Sequence, residues 1–171
     1  KFDVAGNCVD MPNVPAHQDF KDKVTAKAYH VAERNGLIWV HMGAQAVAPA
    51  LPALEAAQLS EADVNIQFIQ RECNWLQALE GDIDTSHFGF LHFGGVGPDD
   101  FGEEEIARNV VKNRAPEYTV TESDWGMMYG GYREAEPGVN YWRIAHFLFP
   151  FWTMPPHGPI GDHVWCRGWV P

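Results

Sequence analysis

One short pattern constrains this chain more than any other: an aspartate and two histidines spaced D-x-x-H-x-x-x-x-H. The three residues are Asp84, His87 and His92. Two neutral imidazoles and one carboxylate form the facial set of ligands that holds Fe(II) and leaves positions open for dioxygen and substrate. The pattern therefore predicts an iron site in which His87 and His92 are ligands and a further carboxylate completes the set.

The setting of the pattern adds to its specificity. At the aspartate and histidine frequencies of this chain, about 0.02 to 0.03 chance matches are expected, so the bare pattern is suggestive. Glu80, Asp82 and Asp84 crowd the two histidines, and their field favours a bound cation and raises the basicity of the imidazoles. The alternative is a surface helix with a solvated acidic face and two ordinary histidines.

The spacing of the histidines also predicts a local distortion. Residues five apart on a regular helix differ by about 140° in direction, so His87 and His92 cannot share one face of it. Gly89 lies between them and can take conformations closed to other residues, which allows a helix end or a local widening. Asp84 precedes His87 by three residues, so it is expected on the same side of the helix, as a carboxylate that orients the imidazole.

The rest of the chain predicts an α+β fold. Asn35-Gly36 is a strong hairpin signal, with strands expected at 27–31 and 37–41. Prolines discourage a long helix in the stretch 44–58, which indicates a linker and a domain boundary. A strand is expected at 63–73 before the motif helix, and antiparallel strands are expected at 117–121, 127–133 and 141–149, with turns at 123–126 and 136–138.

Composition excludes several classes of protein. The 12 basic and 23 acidic residues give a net charge of −11, which argues against nucleic acid or an anionic membrane as a partner. The longest apolar run, 144–152, is too short to span a bilayer. Cys8, Cys73 and Cys166 lack the spacing of ligands for an iron–sulfur cluster or a structural zinc, and unpaired cysteines indicate the cytoplasm.

Residues 74–92 resemble the mononuclear-iron motif of the large subunit of Rieske-type non-haem iron oxygenases, closest to the phthalate dioxygenase-like branch. Residues 1–3 and 9–12 resemble the segment after the second cluster-binding Cys-x-x-His of the Rieske domain. Residues 36–40 resemble the final strand of that domain, and residues 140–144 resemble the sheet of the catalytic domain. The resemblance therefore runs along most of the chain.

This resemblance implies a C-terminal remnant of a Rieske domain at 1–43, a linker at 44–60 and the N-terminal part of a helix-grip catalytic domain at 61–171. The Cys-x-His and Cys-x-x-His pairs that hold the 2Fe-2S cluster of the full-length protein are expected before Lys1. The third iron ligand, an aspartate or a glutamate, is expected beyond Pro171. The chain is thus expected to be an internal fragment that is inactive alone.

The resemblance also implies a role for each motif residue. His87 and His92 would bind a mononuclear Fe(II), where dioxygen is activated beside an aromatic substrate. Asp84 would bridge a ligand histidine to a cluster-binding histidine of the adjacent subunit and so carry electrons between the metal centres. This arrangement implies a homo-oligomer built on trimers, with electrons from NADH or NADPH through a separate reductase, with or without a ferredoxin.

Several interpretations of function stay open. Within the oxygenase family, ring dioxygenation, monohydroxylation and oxidative O-demethylation share one iron site. Members often act on aromatic carboxylates, for which Arg133 and Arg143 are candidate anchors by charge alone. Outside the family, the same histidines would hold zinc in a hydrolase, although that motif usually spaces them four apart. A non-catalytic container for an apolar ligand is the other alternative.

Overall fold

Helices and antiparallel strands both build this protein. The computed structural model describes residues 1–102, 106–156 and 163–171. Its helices are α1 (Trp75–Ile83), α2 (Ile106–Lys112), a π-helix (Phe88–His92) and short 3-10 helices at Ala16–Gln18, Lys21–Lys23, Glu55–Gln58, Glu61–Asp63 and Pro98–Asp100. Its strands are β1 (His30–Arg34), β2 (Leu37–His41), β3 (Glu117–Ser123), β4 (Gly126–Glu136), β5 (Val139–Leu148), β6 (Trp152–Met154) and β7 (Arg167–Gly168). The α+β prediction is confirmed, and none of the described helices is long and apolar enough to cross a lipid bilayer.

Contacts among the described residues divide the chain into two units. One unit comprises Lys1–Ala53 with Leu59–Ile66, and the other comprises Leu54–Gln58 with Gln67–Pro171. The first unit contains the hairpin of β1 and β2, and the second contains the motif and strands β3 to β7. The family-based domain boundaries at 1–43, 44–60 and 61–171 stay a prediction.

The predicted hairpin forms around Asn35 and Gly36, whose φ angles of 50° and 77° match a tight two-residue turn. Strand β2 lies where it was expected. Strand β1 does not, because it runs from His30 to Arg34 and pairs Arg34 with Leu37 and His30 with His41. The placement at 27–31 was wrong, since a two-residue turn allows only the residues directly before it to pair with the returning strand.

The predicted strand at 63–73 is also wrong. A 3-10 helix occupies Glu61–Asp63, and residues 64–73 belong to no strand. Phe68 is 87% exposed and Ile69 is 68% exposed. An alternating sequence forms a ladder only with a partner strand, and none of the described strands pairs with this segment. As the prolines predict, residues 44–58 contain no helix longer than the 3-10 turn at Glu55–Gln58, and their role as a linker stays a prediction.

Within the described part of the second unit, β3 to β7 form one antiparallel meander in chain order. The three strands predicted at 117–121, 127–133 and 141–149 are present as β3, β4 and β5. Strand β5 ends at Leu148, one residue earlier than expected. The predicted turns lie between these strands, and Gly138 takes the left-handed φ of 77° that the second turn requires.

The two faces of this meander differ in burial because successive side chains of a strand point to opposite sides. Trp142 and Ile144 of β5 are exposed on one face. The other face is buried where α1 and α2 pack against the strands. The side chains buried there are Tyr129, Arg133, Arg143, Ala145 and Thr153. Four of these five are polar or charged, and three of them, Tyr129, Arg143 and Thr153, form hydrogen bonds with residues 82–85, where α1 ends and the motif begins.

Candidate metal centre

Helix α1 leads into the motif and ends before it. The Asn74 side chain caps the N-terminus by accepting hydrogen bonds of 2.9 and 3.4 Å from two N–H groups of the first turn. The last helical residue is Ile83, and Asp84 takes an extended conformation with a ψ of 107°. The expectation that Asp84 shares a helical face with His87 is therefore wrong, because the helix stops before both residues.

A side-chain turn brings Asp84 close to His87 instead. Asp84 Oδ1 accepts hydrogen bonds from the Ser86 N–H at 2.8 Å, the Ser86 hydroxyl at 2.7 Å and the His87 N–H at 3.4 Å. Burial raises the pKa of the Asp84 carboxyl, but these hydrogen bonds together lower that pKa below its usual value. Asp84 is therefore ionised at neutral pH, with Oδ1 held and Oδ2 3.6 Å from His87 Nδ1.

The predicted widening between the two histidines is confirmed as the π-helix at Phe88–His92, which His87 immediately precedes. A π-helix bonds residue i to residue i+5, so its wider turn returns His92 to nearly the same side as His87. The two imidazole centroids lie 5.2 Å apart, with an angle of 56° between the ring planes. This separation allows both rings to reach a single metal ion.

Gly89 supports the π-helix by its small size. Its φ does not lie in the left-handed region. A Cβ atom at Gly89 would lie 3.1 Å from the carbonyl oxygen and 3.2 Å from Cγ1 of Val110 in α2, closer than side chains normally approach. The prediction that Gly89 contributes its backbone freedom is wrong, because what the packing against α2 requires is the absence of a side chain.

The environment of His87 selects the ring nitrogen that is available to a metal. His87 Nδ1 lies 2.6 Å from the carbonyl oxygen of Asp84, so Nδ1 carries the proton and donates it. The lone pair of Nε2 is then free. A ligand histidine typically donates its other N–H to a carbonyl or a carboxylate in this way. The backbone of Asp84, more than its carboxylate, therefore orients His87.

Side chains from the buried face of the sheet hold the segment that precedes His87. The Tyr129 hydroxyl on β4 donates to the carbonyl of Ile83, and Arg143 Nε on β5 donates to Thr85 Oγ1 at 3.2 Å. Burial raises the pKa of the Tyr129 phenol, which keeps that hydroxyl protonated and able to donate. Two neighbouring strands thus hold the end of α1 and the turn that follows it against the sheet.

Asp82 is also bound to the sheet, and its charge is paired there and not directed at the histidines. Its carboxylate accepts hydrogen bonds from Thr153 Oγ1 at 2.5 Å and Trp169 Nε1 at 3.3 Å, and it forms an ion pair with Arg167. The Asp82 side chain is only 7% exposed, so this pair neutralises a buried charge. The expectation that Asp82 adds to an acidic field around the motif is therefore wrong.

His92 is linked to Arg143 through an aromatic ring. The rings of Phe88 and His92 are stacked with centroids 4.9 Å apart, and Arg143 Cζ lies 4.7 Å from the centroid of Phe88. Because Arg143 also bonds Thr85, this one buried cation contacts the chain on both sides of His87.

Two histidines of a candidate metal site lie together among the described residues, without a third candidate ligand beside them. Within residues 1–102, 106–156 and 163–171, no three His, Cys, Asp or Glu side chains group together so as to hold a metal ion. Cys8, Cys73 and Cys166 are free thiols. Two converging imidazoles fit part of an Fe(II) site, and the remaining carboxylate ligand stays a prediction.

Arg133 is a buried cation beside this site. It is 1% exposed, and its Nε donates to the carbonyl of Asn113 at 2.5 Å. Among the described residues its Nη1 and Nη2 atoms have no hydrogen-bond partner. Burial, and to a smaller extent the neighbouring Arg143, lower the pKa of Arg133. A buried guanidinium with unpaired nitrogens is costly, and an anionic group would relieve that cost.

Comparison with known proteins gives this geometry a context. Residues 40–159 match the family described as LigXa C-terminal domain like. The chain is 44% identical over its whole length to the 3-chlorobenzoate-3,4-dioxygenase oxygenase subunit of Comamonas testosteroni, of which it covers 39%. Over 91% of its length it is 33% identical to the phthalate 4,5-dioxygenase oxygenase subunit of Pseudomonas putida, of which it covers 37%.

A third relative is named for a different reaction. Over 97% of its length the chain is 29% identical to the 5,5'-dehydrodivanillate O-demethylase oxygenase subunit of Sphingobium, of which it covers 38%. The chain therefore spans about two fifths of the length of the relatives it matches.

The turn at Asp84 leads to a test by replacement of its main donor. Ser86→Ala should raise the pKa of Asp84, because the carboxylate loses the hydroxyl bond that lowers this pKa most. A lowered carboxyl pKa stabilises the fold above the usual value of 3.8, and that contribution is lost as the pH falls through the folded-state pKa. The variant should thus be less stable at pH 7, with the difference vanishing in acid.

A carboxylate ¹³C NMR titration measures this pKa directly. Ser123→Ala is the matched control, because its hydroxyl donates to the carbonyl of Gly126 at 3.1 Å and not to Asp84. An Asp84 pKa that is the same in the wild type and in Ser86→Ala would contradict the assigned hydrogen bond.

Proposed function

The chain belongs to the LigXa C-terminal-domain-like family of Rieske-type oxygenase large subunits, and we propose that it supplies two iron ligands to an aromatic-ring-hydroxylating oxygenase. The observation that carries this proposal is the π-helix, which brings His87 and His92 to a centroid distance of 5.2 Å. A π-helix that brings two imidazoles together is expected of a metal site. The alternative, a solvated surface helix with two ordinary histidines, does not require this distortion.

His87 and His92 are the proposed ligands of a mononuclear Fe(II), with a carboxylate from another part of the full-length protein as the third. When bound, Fe(II) supplies the centre at which dioxygen is activated. His87 offers Nε2 because its Nδ1–H is engaged by the carbonyl of Asp84. This hydrogen bond fixes both the tautomer and the direction of the ring before any metal binds.

Asp84 is the proposed electron-transfer bridge to the 2Fe-2S centre of a neighbouring subunit in a trimer-based homo-oligomer. Three hydrogen bonds hold its Oδ1, while its side chain remains 42% exposed and Oδ2 lies 3.6 Å from His87 Nδ1. One carboxylate oxygen is thus free to accept a hydrogen bond from outside. Electrons would come from NADH or NADPH through a reductase, in the cytoplasm.

We further propose an aromatic acid as the substrate. Two relatives are named for acting on chlorobenzoate and phthalate, both of which carry carboxylates. Arg133 and Arg143 are buried side by side on the sheet face that holds the motif, and Arg133 has two unpaired nitrogens among the described residues. A carboxylate is the partner that such a guanidinium prefers. Oxidative O-demethylation is the second candidate, because one relative is named for it.

The ligand assignment predicts different losses for the three motif residues. In the full-length protein, His87→Ala and His92→Ala should each lose most of the mononuclear iron. Asp84→Asn should keep its iron, because the backbone carbonyl still orients His87, but should lose about 10- to 100-fold in reductase-supported turnover. Iron analysis and steady-state turnover measure the two effects.

His146→Ala serves as the control, since His146 lies on β5 and pairs across the sheet with Met128 and Met154, away from the motif. It should retain wild-type iron. Wild-type iron content in either motif histidine variant would refute the ligand assignment, and normal turnover of Asp84→Asn would refute the bridge.

The substrate proposal predicts discrimination by charge. An aromatic carboxylate should exceed its carboxamide in kcat/KM by about 100-fold, the size expected when a buried cation loses its partner. Arg133→Met should remove most of this preference, whereas Arg108→Met on α2 should keep it. Equal kcat/KM values for acid and amide in the wild type would rule out an anionic anchor.

A further inference from the structure

Arg114 lies between α2 and β3 and reaches across to the π-helix. Its guanidinium donates to three backbone carbonyls: Gly89 within the π-helix, Phe93 at 2.9 Å and Val96 at 2.6 Å. All three acceptors belong to the segment that carries His92. All three acceptors are backbone atoms, so Arg114 stabilises the backbone conformation of this segment whatever its side chains are.

The π-helix needs such a partner. The last carbonyls of a helix have no partner within the helix, and a π-helix of one turn leaves most of its carbonyls in that position. The same end carries partial negative charge, which a cation stabilises. A planar guanidinium can donate in several directions at once, so a single arginine can satisfy carbonyls that lie around the end of a turn.

The backbone that carries Arg114 is itself held by the sheet. The Asn113 side chain accepts a hydrogen bond from the Ala115 N–H at 3.1 Å and closes a turn around Arg114. The carbonyl of Asn113 accepts a 2.5 Å hydrogen bond from buried Arg133 of β4. One turn earlier, Val110 of α2 packs against Gly89. The sheet thus positions Arg114, and Arg114 positions the π-helix.

From this arrangement we infer that Arg114 is the positioning residue that holds His92 in the orientation required for metal binding. The inference rests on the proposed function, because it concerns a proposed iron ligand. Arg143 holds the N-terminal part of the motif through Thr85, whereas Arg114 holds its C-terminal part through the carbonyls that flank His92. Without Arg114, the π-helix and the turn after it would lose three hydrogen bonds, and the segment would relax toward regular helix, which would turn His92 away from His87.

The test uses the full-length oxygenase with its mononuclear iron removed and Co(II) as the probe metal. Arg114→Gln should bind Co(II) about 10- to 100-fold more weakly than the wild type, the usual loss when support of a ligand is removed, and its visible spectrum should change as a histidine leaves the metal. Arg114→Lys keeps the charge and part of the donor capacity, so it should restore part of the affinity and spectrum.

Arg108→Gln is the matched control, because Arg108 on α2 donates to the carbonyl of Phe101 at 3.3 Å, outside the π-helix. It should bind Co(II) as the wild type does. Wild-type affinity and spectrum in Arg114→Gln would overturn the inference, even with a lowered unfolding midpoint, because Arg114 would then stabilise the fold only.

A His92→Ala variant separates this inference from the proposed function. If His92→Ala loses Co(II) while Arg114→Gln does not, only the role of Arg114 fails. If His92→Ala also binds Co(II) normally, the proposed ligand set fails and the inference falls with it.

Discussion

The convergence of two imidazoles across one π-turn is the constraint on which the rest of this structure depends. His87 and His92 are spaced so that a regular helix would separate them by about 140°. The π-helix brings their centroids to 5.2 Å, but such a turn is rare because its hydrogen-bond geometry is less favourable. Contacts outside the motif must therefore stabilise it, and the packing of Gly89 against Val110 is one of them.

Arg114 supplies three hydrogen bonds to this segment, and the sheet supplies further contacts. Its buried face carries hydrogen-bonding side chains at positions that are apolar in an ordinary core. Each of these side chains bonds either to residues 82–85 or to Asn113, which precedes Arg114. Tyr129 bonds the end of α1, Arg143 bonds Thr85 and lies over Phe88, and Thr153 bonds Asp82. Buried polar groups stabilise a unique arrangement only when they are paired, so these bonds select one position for the histidines. The meander thereby fixes the conformation of the site.

Features that depend on neighbouring residues could be predicted from the sequence of this chain. Features that depend on contacts between residues far apart in the sequence could not. The hairpin turn at Asn35 and Gly36 and the bend between the histidines follow from a few neighbouring residues. The unpaired stretch 64–73 did not, because alternation predicts a strand without supplying its partner. Asp82 seemed to be part of an acidic field until its pairing with Arg167, 85 residues away, placed it in the sheet. Arg114 carries no local signal at all.

Anomalous diffraction at the iron absorption edge, from crystals of the full-length protein, tests the central claim most directly. The account predicts one mononuclear iron peak within bonding distance of Nε2 of His87 and of the His92 ring, with residues 88–92 in the π-helical conformation. A peak bonded to only one of these histidines, or no mononuclear peak beside them, would contradict it.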